Sequence, residues 1–201
     1  MSNFLAIDTS SRYLTVLAVK DEKTALRHLP DCAMQHSVVL MDEIDKALKE
    51  VNLAPADCDF FAAVTGPGSF TGIRIGVATA KGFALATGKP LVSVTAFNLI
   101  AYNVNIKKFY IIIDALHSHY YVCGYENGQI LLPPCYMDAD GVKNLDAPLY
   151  GFEQIPLENY QKIDIKNCLY PAVCALKNGA SGEMHALYVR KSQAEEARGG
   201  N

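Results

Sequence analysis

The order of apolar and polar residues changes period several times along the chain, and each change marks an element. "FLAI", residues 4–7, is an unbroken apolar run of strand length. The polar turn "DTSSR" follows, then "YLTVLAV", rich in β-formers, and "KDEK" reverses the chain again, so the first 29 residues predict a three-stranded meander. From Ser37 the period becomes helical. Leu40, Met41, Ile44, Ala47, Leu48 and Val51 fall on one stripe, while Asp42, Glu43, Asp45, Lys46, Lys49 and Glu50 take the other side. Ser37 is the expected N-cap, and Asp42/Lys46 and Asp45/Lys49 are acid-first i,i+4 pairs. "DFFAAV" then predicts a buried strand leading into a glycine-rich loop, "TGPGSFTG".

From Thr71 a second helix is expected, ending at Gly88 shortly before Pro90. Gly72, Gly76, Ala80, Ala84 and Gly88 recur every four residues. Interior glycine costs a helix about 1 kcal/mol relative to alanine, so such a stripe implies that another backbone lies close. Close packing on the chain's own sheet and packing against a partner's helix both explain it. A strand, "PLVSV", and a helical stretch, "AFNLIAYN", follow. At Lys107 the pattern restarts: "KFYIIIDALHSHYYVCGYENGQILLP" repeats the order of the first meander, with Asp114 in the place of Asp8. This predicts a duplicated α/β lobe, with domains 1–104 and 105–201. The second copy is reduced, with "APLYGF", a short helix at "PAVCALKN" and a final strand "HALYVRK", but nothing equivalent to the glycine loop and its long helix. The tail "SQAEEARGGN" is expected to fray.

Composition narrows the functional classes. Half of the 201 residues are apolar, enough for a sizeable core. A formal charge of −3 argues against unaided gripping of nucleic acid, so any such contact would need a partner. Six scattered cysteines without a CxxC pair, no signal-peptide pattern and no long apolar span lead to the expectation of a reduced, cytoplasmic protein without a membrane segment.

A glycine loop before a helix can hold phosphate through free N–H groups. Yet "GPGSFTG" lacks the GK[ST] ending of a P-loop and the spacing of the dinucleotide fingerprint. A phosphate cradle and a tight strand-to-helix turn therefore both remain open on spacing alone. His117 and His119 could share a face without an apparent third ligand, and Ser69 lacks the GxSxG elbow of a serine hydrolase.

The order of elements is similar to the actin, hexokinase and Hsp70-like (ASKHA) duplicated fold, in which the lobes' polar turns line a nucleotide cleft. "FLAIDTSS", "HSVVLMDEIDKAL", "TGPGSFTGIRIGVATAKGFA", "KPLVSVTAF", "IIIDA" and "LYVRKSQAEE" together resemble the TsaB (YeaZ) family, whose members serve threonylcarbamoyladenosine formation in tRNA. The catalytic relative, TsaD, carries a His-x-x-x-His metal pair after the matching stretch. Neither Thr95/Leu99 nor Ala96/Ile100 offers such ligands here.

The resemblance implies a non-catalytic scaffold without catalytic residues or a metal site. Its partners would be TsaD and TsaE, with a homodimer when the chain is alone and tRNA reached only through the complex. A glycoprotease-like peptidase or weak ATPase is the alternative. Vestigial nucleotide contacts would fall to Asp8, Thr9, Ser10, Gly66, Gly68 and Ser69, with no tightly bound cofactor and ATP or ADP entering only at the level of the complex. The partner interface would use Leu40, Met41, Ile44, Leu48, Gly72, Ile73, Gly76, Val77, Ala80 and Ala84.

Overall fold

The computed structural model describes residues 2–190. Among these the chain divides into two units: residues up to Val104 together with Asp164–Ala186, and Asn105–Ile163 together with residues from Leu187 on. The division falls after residue 104, but residues 164–186, expected in the second lobe, group with the first.

The first unit is built on a five-stranded sheet of order β3-β2-β1-β4-β5. Its strands are β1 (Phe4–Asp8), β2 (Leu14–Lys20), β3 (Lys23–Leu29), β4 (Phe60–Val64) and β5 (Leu91–Val94). β1 pairs antiparallel with β2 and parallel with β4, so the meander and the parallel pair share one central strand. Every residue of β1 and β4 is buried, which is why both read as continuous apolar runs and not as alternation. On one face Leu5, Ile7 and Val16 join a core cluster with Leu40 and Ile44 of α1 (His36–Glu50) and Ile73 of α2 (Phe70–Thr87). Each such fully buried side chain contributes about 1.5–3 kcal/mol of transfer free energy. Elsewhere in the sheet Phe4 stacks on Phe60 at 5.0 Å and lies 6.3 Å from the ring of Tyr170 in α5 (Leu169–Leu176). α3 (Ala96–Ala101) is held by a capping box between Thr95 and Asn98. The edge of β5 is covered where Leu91 and Ser181 exchange two backbone hydrogen bonds of 2.7 and 2.8 Å.

The second unit repeats the topology. Its sheet has the order β10-β9-β6-β7-β8, with β6 (Lys108–Asp114), β7 (His119–Glu126), β8 (Gln129–Asp138), β9 (Leu149–Gly151) and β10 (Tyr160–Lys162). Reading β6 to β10 as β1 to β5 gives the same strand order, with the same antiparallel and parallel pairings. α4 (Ala139–Lys143) stands between the third and fourth strands of this copy. β9 and β10 are only three residues each, and the connection between them carries no helix.

Several expectations are corrected. Ser37 is not the N-cap of α1; the helix begins at His36 with Gln35 at the cap and no side-chain cap bond. The ring of His36 is buried and its Nε2 bonds the carbonyl of Tyr13 at 3.0 Å, which draws the chain into the helix one residue early. Glu43, placed by period on the polar side, is buried. It accepts from Arg27 Nε on β3 at 2.9 Å and from Lys46 Nζ at 2.6 Å, so Lys46 pairs with Glu43 instead of Asp42. The Asp45–Lys49 pair forms as expected, at 2.6 Å. "HALYVRK" forms no strand over its described residues. Met184 just before it is buried in the first unit's core and Arg190 lies over the ring of Tyr136, so side-chain packing and not a strand ladder fixes its ends. Lys191 and the tail "SQAEEARGGN" lie outside the described residues.

The Arg27–Glu43–Lys46 cluster generates a pH dependence. The hydrogen bonds from Lys46 and then Arg27 hold the Glu43 carboxyl below its ordinary value. Its contribution is therefore present above the unfolded carboxyl value and is lost as pH falls through the lower folded one. Replacing Glu43 with Gln should cost about 2 kcal/mol at neutral pH and flatten the acid limb of a denaturation series below about pH 4.5. Urea unfolding at stepped pH measures both effects.

Candidate functional site

The sequence-derived nucleotide residues converge in the first unit, where the turn after β1 meets the loop after β4. Asp8 is 1% exposed. Its Oδ1 accepts from the backbone N–H of Ser10 at 2.9 Å and from the Ser10 hydroxyl at 2.7 Å, and its Oδ2 accepts from the Tyr13 hydroxyl at 2.8 Å. Burial pushes this carboxyl up, against the opposing pull of the Ser10 and Tyr13 hydrogen bonds and the nearby His36. Tyr13 escaped the sequence reading; its place five residues after Asp8, at the foot of β2, was the available signal.

The loop closes directly onto this turn. Ser69 N–H donates to the carbonyl of Ser10 at 2.7 Å, and the Thr9 hydroxyl donates to the carbonyl of Gly72 at 2.6 Å. Ser69 caps α2, its Oγ accepting from Gly72 N–H at 3.2 Å. Gly66 and Pro67 are buried and joined by a cis peptide bond. The approach is so close that a Cβ on Gly68 would lie 2.1 Å from the Ser10 carbonyl oxygen, and one on Gly72 would lie 1.9 Å from that of Thr9. A Cβ on Gly76 would meet Thr9 Oγ1 at 2.5 Å. The turn and the loop thus touch each other directly.

The same distances assign the small-residue stripe of α2. Gly72 and Gly76 face the Asp8–Ser10 turn and β1 of this chain, and Ala80 and Ala84 are buried in its core. Of the ten residues expected at a partner interface, nine are buried: Leu40, Ile44, Leu48, Gly72, Ile73, Gly76, Val77, Ala80 and Ala84. The reason is that each helix turns its wider apolar stripe inward to the sheet. Met41 is the one residue of the ten that is exposed, at 54%. What α1 and α2 leave outward is a different set, with Val38 74% exposed and Leu85 89% exposed, and with Ala78, Gly82 and Ala86 also on the surface of α2. Met41 also lines a groove of about 390 Å³ together with Ile44, Leu48, Leu53, Pro55 and Phe83, with Asp45 and Lys49 at its polar side. The signal for this second face was the apolar pair Val38 and Met41 three apart, continued by Leu85 among the exposed positions of α2.

The remaining chemistry-bearing residues do not gather. On α3, Leu99 and Ile100 are buried apolar residues and Thr95 caps the helix. His117 is exposed, and the Nδ1 of His119 bonds the His117 carbonyl at 2.8 Å. Among the described residues no three His, Cys, Asp or Glu side chains are grouped so as to hold a metal ion, and no helix is long and apolar enough to cross a membrane.

Two copies of a sheet with the strand order 3-2-1-4-5, the first followed by a glycine turn and a long helix, define an α/β protein of the actin/hexokinase/Hsp70-like type. The family pattern described as "TsaD: tRNA N6-adenosine threonylcarbamoyltransferase" matches residues 29–175. A Bacillus subtilis protein, tRNA threonylcarbamoyladenosine biosynthesis protein TsaB, is 32% identical over 99 residues, which cover 49% of this chain and 43% of that protein. The protein of the same name from Buchnera aphidicola is 26% identical over 184 residues, covering 83% of this chain and 87% of the relative. The solved structure of YeaZ from Pseudomonas aeruginosa superposes with a TM-score of 0.73 at 20% identity, covering 94% of this chain and all of that one, and so shares the fold. The chain belongs to the tRNA N6-adenosine threonylcarbamoyltransferase family, on its TsaB (YeaZ) branch. Its match spans less than half the length of the Bacillus relative.

The clamp of loop on turn predicts opposite outcomes for one substitution at two positions of one helix. Gly72→Ala places a methyl group against a backbone oxygen and should cost about 2–3 kcal/mol. Gly82→Ala, with nothing within 4 Å of the new carbon, should stabilise by about 0.5–1 kcal/mol through helix propensity. Denaturant midpoints of the two variants against the parent chain give the comparison.

Proposed function

We propose that this chain is a non-catalytic subunit in the formation of threonylcarbamoyladenosine in tRNAs that read codons beginning with A. In this reading it docks a TsaD-type transferase through the outward face of α1 and α2. The observation that carries the proposal is that Val38, Met41 and Leu85 stand exposed on two neighbouring helices, with Met41 at the rim of a largely apolar groove. Exposed apolar surface of this kind, flanked by charged residues such as Asp45 and Lys49, suits a protein interface. The family match supports the choice of partner, since the names of the relatives place them in this modification.

The first unit's own chemistry is consistent with support in place of catalysis. Asp8 has both oxygens engaged by Ser10 and Tyr13, and the Ser69 N–H, which would face a phosphate, is held by Ser10. Asp8, Thr9, Ser10, Gly66, Gly68 and Ser69 then act as a structural joint that aims α2, and ATP enters with TsaE when the complex assembles. Contact with tRNA comes through the complex, in the cytoplasm. In the absence of its partner the same outward face of α1 and α2 pairs with a second copy.

Leu85→Asp and Met41→Asp change exposed side chains, so both variants should fold as the parent does. Each should weaken binding to TsaD by about 10-fold or more, the cost of removing one apolar side chain from a buried interface. Light scattering and calorimetric titration with purified TsaD report the affinity. A tRNA-modification assay with this chain, TsaD and TsaE omitted in turn reports the role. Unchanged affinity in both variants would remove this face as the dock, and modification by the lone chain would remove the non-catalytic reading.

A further inference from the structure

The four methionines among the described residues fall into two pairs. Met184 is buried in the core of the first unit, and Met137 is partly buried against the core of the second. Met34 and Met41 stand in solvent instead, at 98% and 54% exposure, and Met34 is the most exposed of the described large apolar residues. Both belong to the start of α1. Met34 precedes the cap residue Gln35, Val38 lies in the first turn of the helix and Met41 in the second.

The backbone that carries Met34 is fixed on both sides. Cys32, whose side chain is buried, donates its N–H to the Arg12 carbonyl at 2.6 Å, and Gln35 N–H donates to the Cys32 carbonyl at 3.0 Å. Met34 itself has a φ of 66°, a left-handed conformation that side chains rarely adopt. An anchored turn thus holds a thioether out in water, next to the two apolar residues that α1 contributes to the proposed dock. Met137 and Met184 are shielded by packing, so a reagent dissolved in water meets the sulfurs of Met34 and Met41 first.

We propose that Met34 and Met41 are modification sites, at which oxidation by a peroxide switches off docking through α1 and α2 and reduction by a dithiol-dependent reductase restores it. This rests on the docking reading and assigns a regulation to the same face. In the forward step the thioether sulfur attacks a peroxide oxygen, the O–O bond breaks as the S–O bond forms, and the departing hydroxide takes the remaining proton and leaves as water. Sulfur gives up two electrons and the peroxide gains them. In the return step two thiols become one disulfide and the sulfoxide oxygen leaves as water. The sulfoxide is polar and a strong acceptor, so an apolar interface that buries it loses its hydration without a donor in exchange. The thiols compete poorly for the oxidant. None of the six cysteines is exposed. Burial also pushes the thiols of Cys32, Cys58, Cys123, Cys135 and Cys168 up, which keeps them in the protonated, slowly reacting form.

The test treats the full chain with hydrogen peroxide, removes the oxidant, reverses thiol oxidation with dithiothreitol and locates sulfoxide by peptide mass spectrometry. Calorimetric titration with purified TsaD then compares affinity before and after. Sulfoxide should form at Met34 and Met41 ahead of Met137 and Met184, and affinity should fall by about 10-fold or more. Methionine sulfoxide reductase with dithiothreitol should restore it. In a chain carrying both Met34→Leu and Met41→Leu, peroxide should leave the affinity where it stood in that variant before treatment. Oxidation of Met137 or Met184 first, undiminished affinity with both exposed methionines oxidised, or a peroxide response that persists in the double variant would each overturn the proposal. Failure of the untreated parent chain to bind TsaD would remove the docking reading itself, and this inference with it.

Discussion

The contact between the Asp8–Ser10 turn and the loop at Gly68–Gly72 constrains most of the first unit. Two hydrogen bonds, Ser69 N–H to the Ser10 carbonyl and the Thr9 hydroxyl to the Gly72 carbonyl, bring two backbones to a separation that excludes any Cβ between them. Glycine at 68 and 72 follows from that separation. So does the direction in which α2 leaves the sheet, since its cap residue, Ser69, is itself one of the bonded partners. Asp8, placed beneath the contact, keeps company with Ser10 and Tyr13 and is shut off from water.

The inward pull of α2 onto that contact also determines what α1 and α2 present outside. Their broad apolar stripes are used up on the sheet, and the outer surface is a narrower arrangement of Val38, Met41, Leu85 and small residues of α2. A helix can be tightly packed on one side and still carry apolar residues on the other, provided the second set is sparse enough to remain soluble. The proposed docking role draws on this second set, whereas the buried stripe accounts for stability.

Local signals made much of the fold legible. β1 to β3, the glycine turn, the end of α2 at Gly88 and the repeat from Lys107 follow from apolar runs, turn residues and periodicity, which depend on neighbours in sequence. The outline of the candidate site was legible too, because its six residues lie in two short motifs. What escaped depends on distant partners. The helix start at His36 is decided by the carbonyl of Tyr13, and the burial of Glu43 by Arg27 on another element. The stripe from Gly72 to Ala84 announced a close neighbour without naming it, since spacing reports a face and says nothing of what covers it. The strand expected in "HALYVRK" failed because its anchors, Met184 and Arg190, are fixed by packing against residues far away in the chain.

The return of residues 164–186 to the first unit bears on how the polypeptide is made. Tyr170 lies against Phe4, Ser181 covers the edge of β5, and Met184 fills the core beside Leu5 and Ile7. A chain emerging from the ribosome therefore holds the first meander and both long helices well before it holds the segment that seals them. The N-terminal lobe is therefore not sealed as an early, separate event; it waits, partly open, until residues 164–186 have been translated.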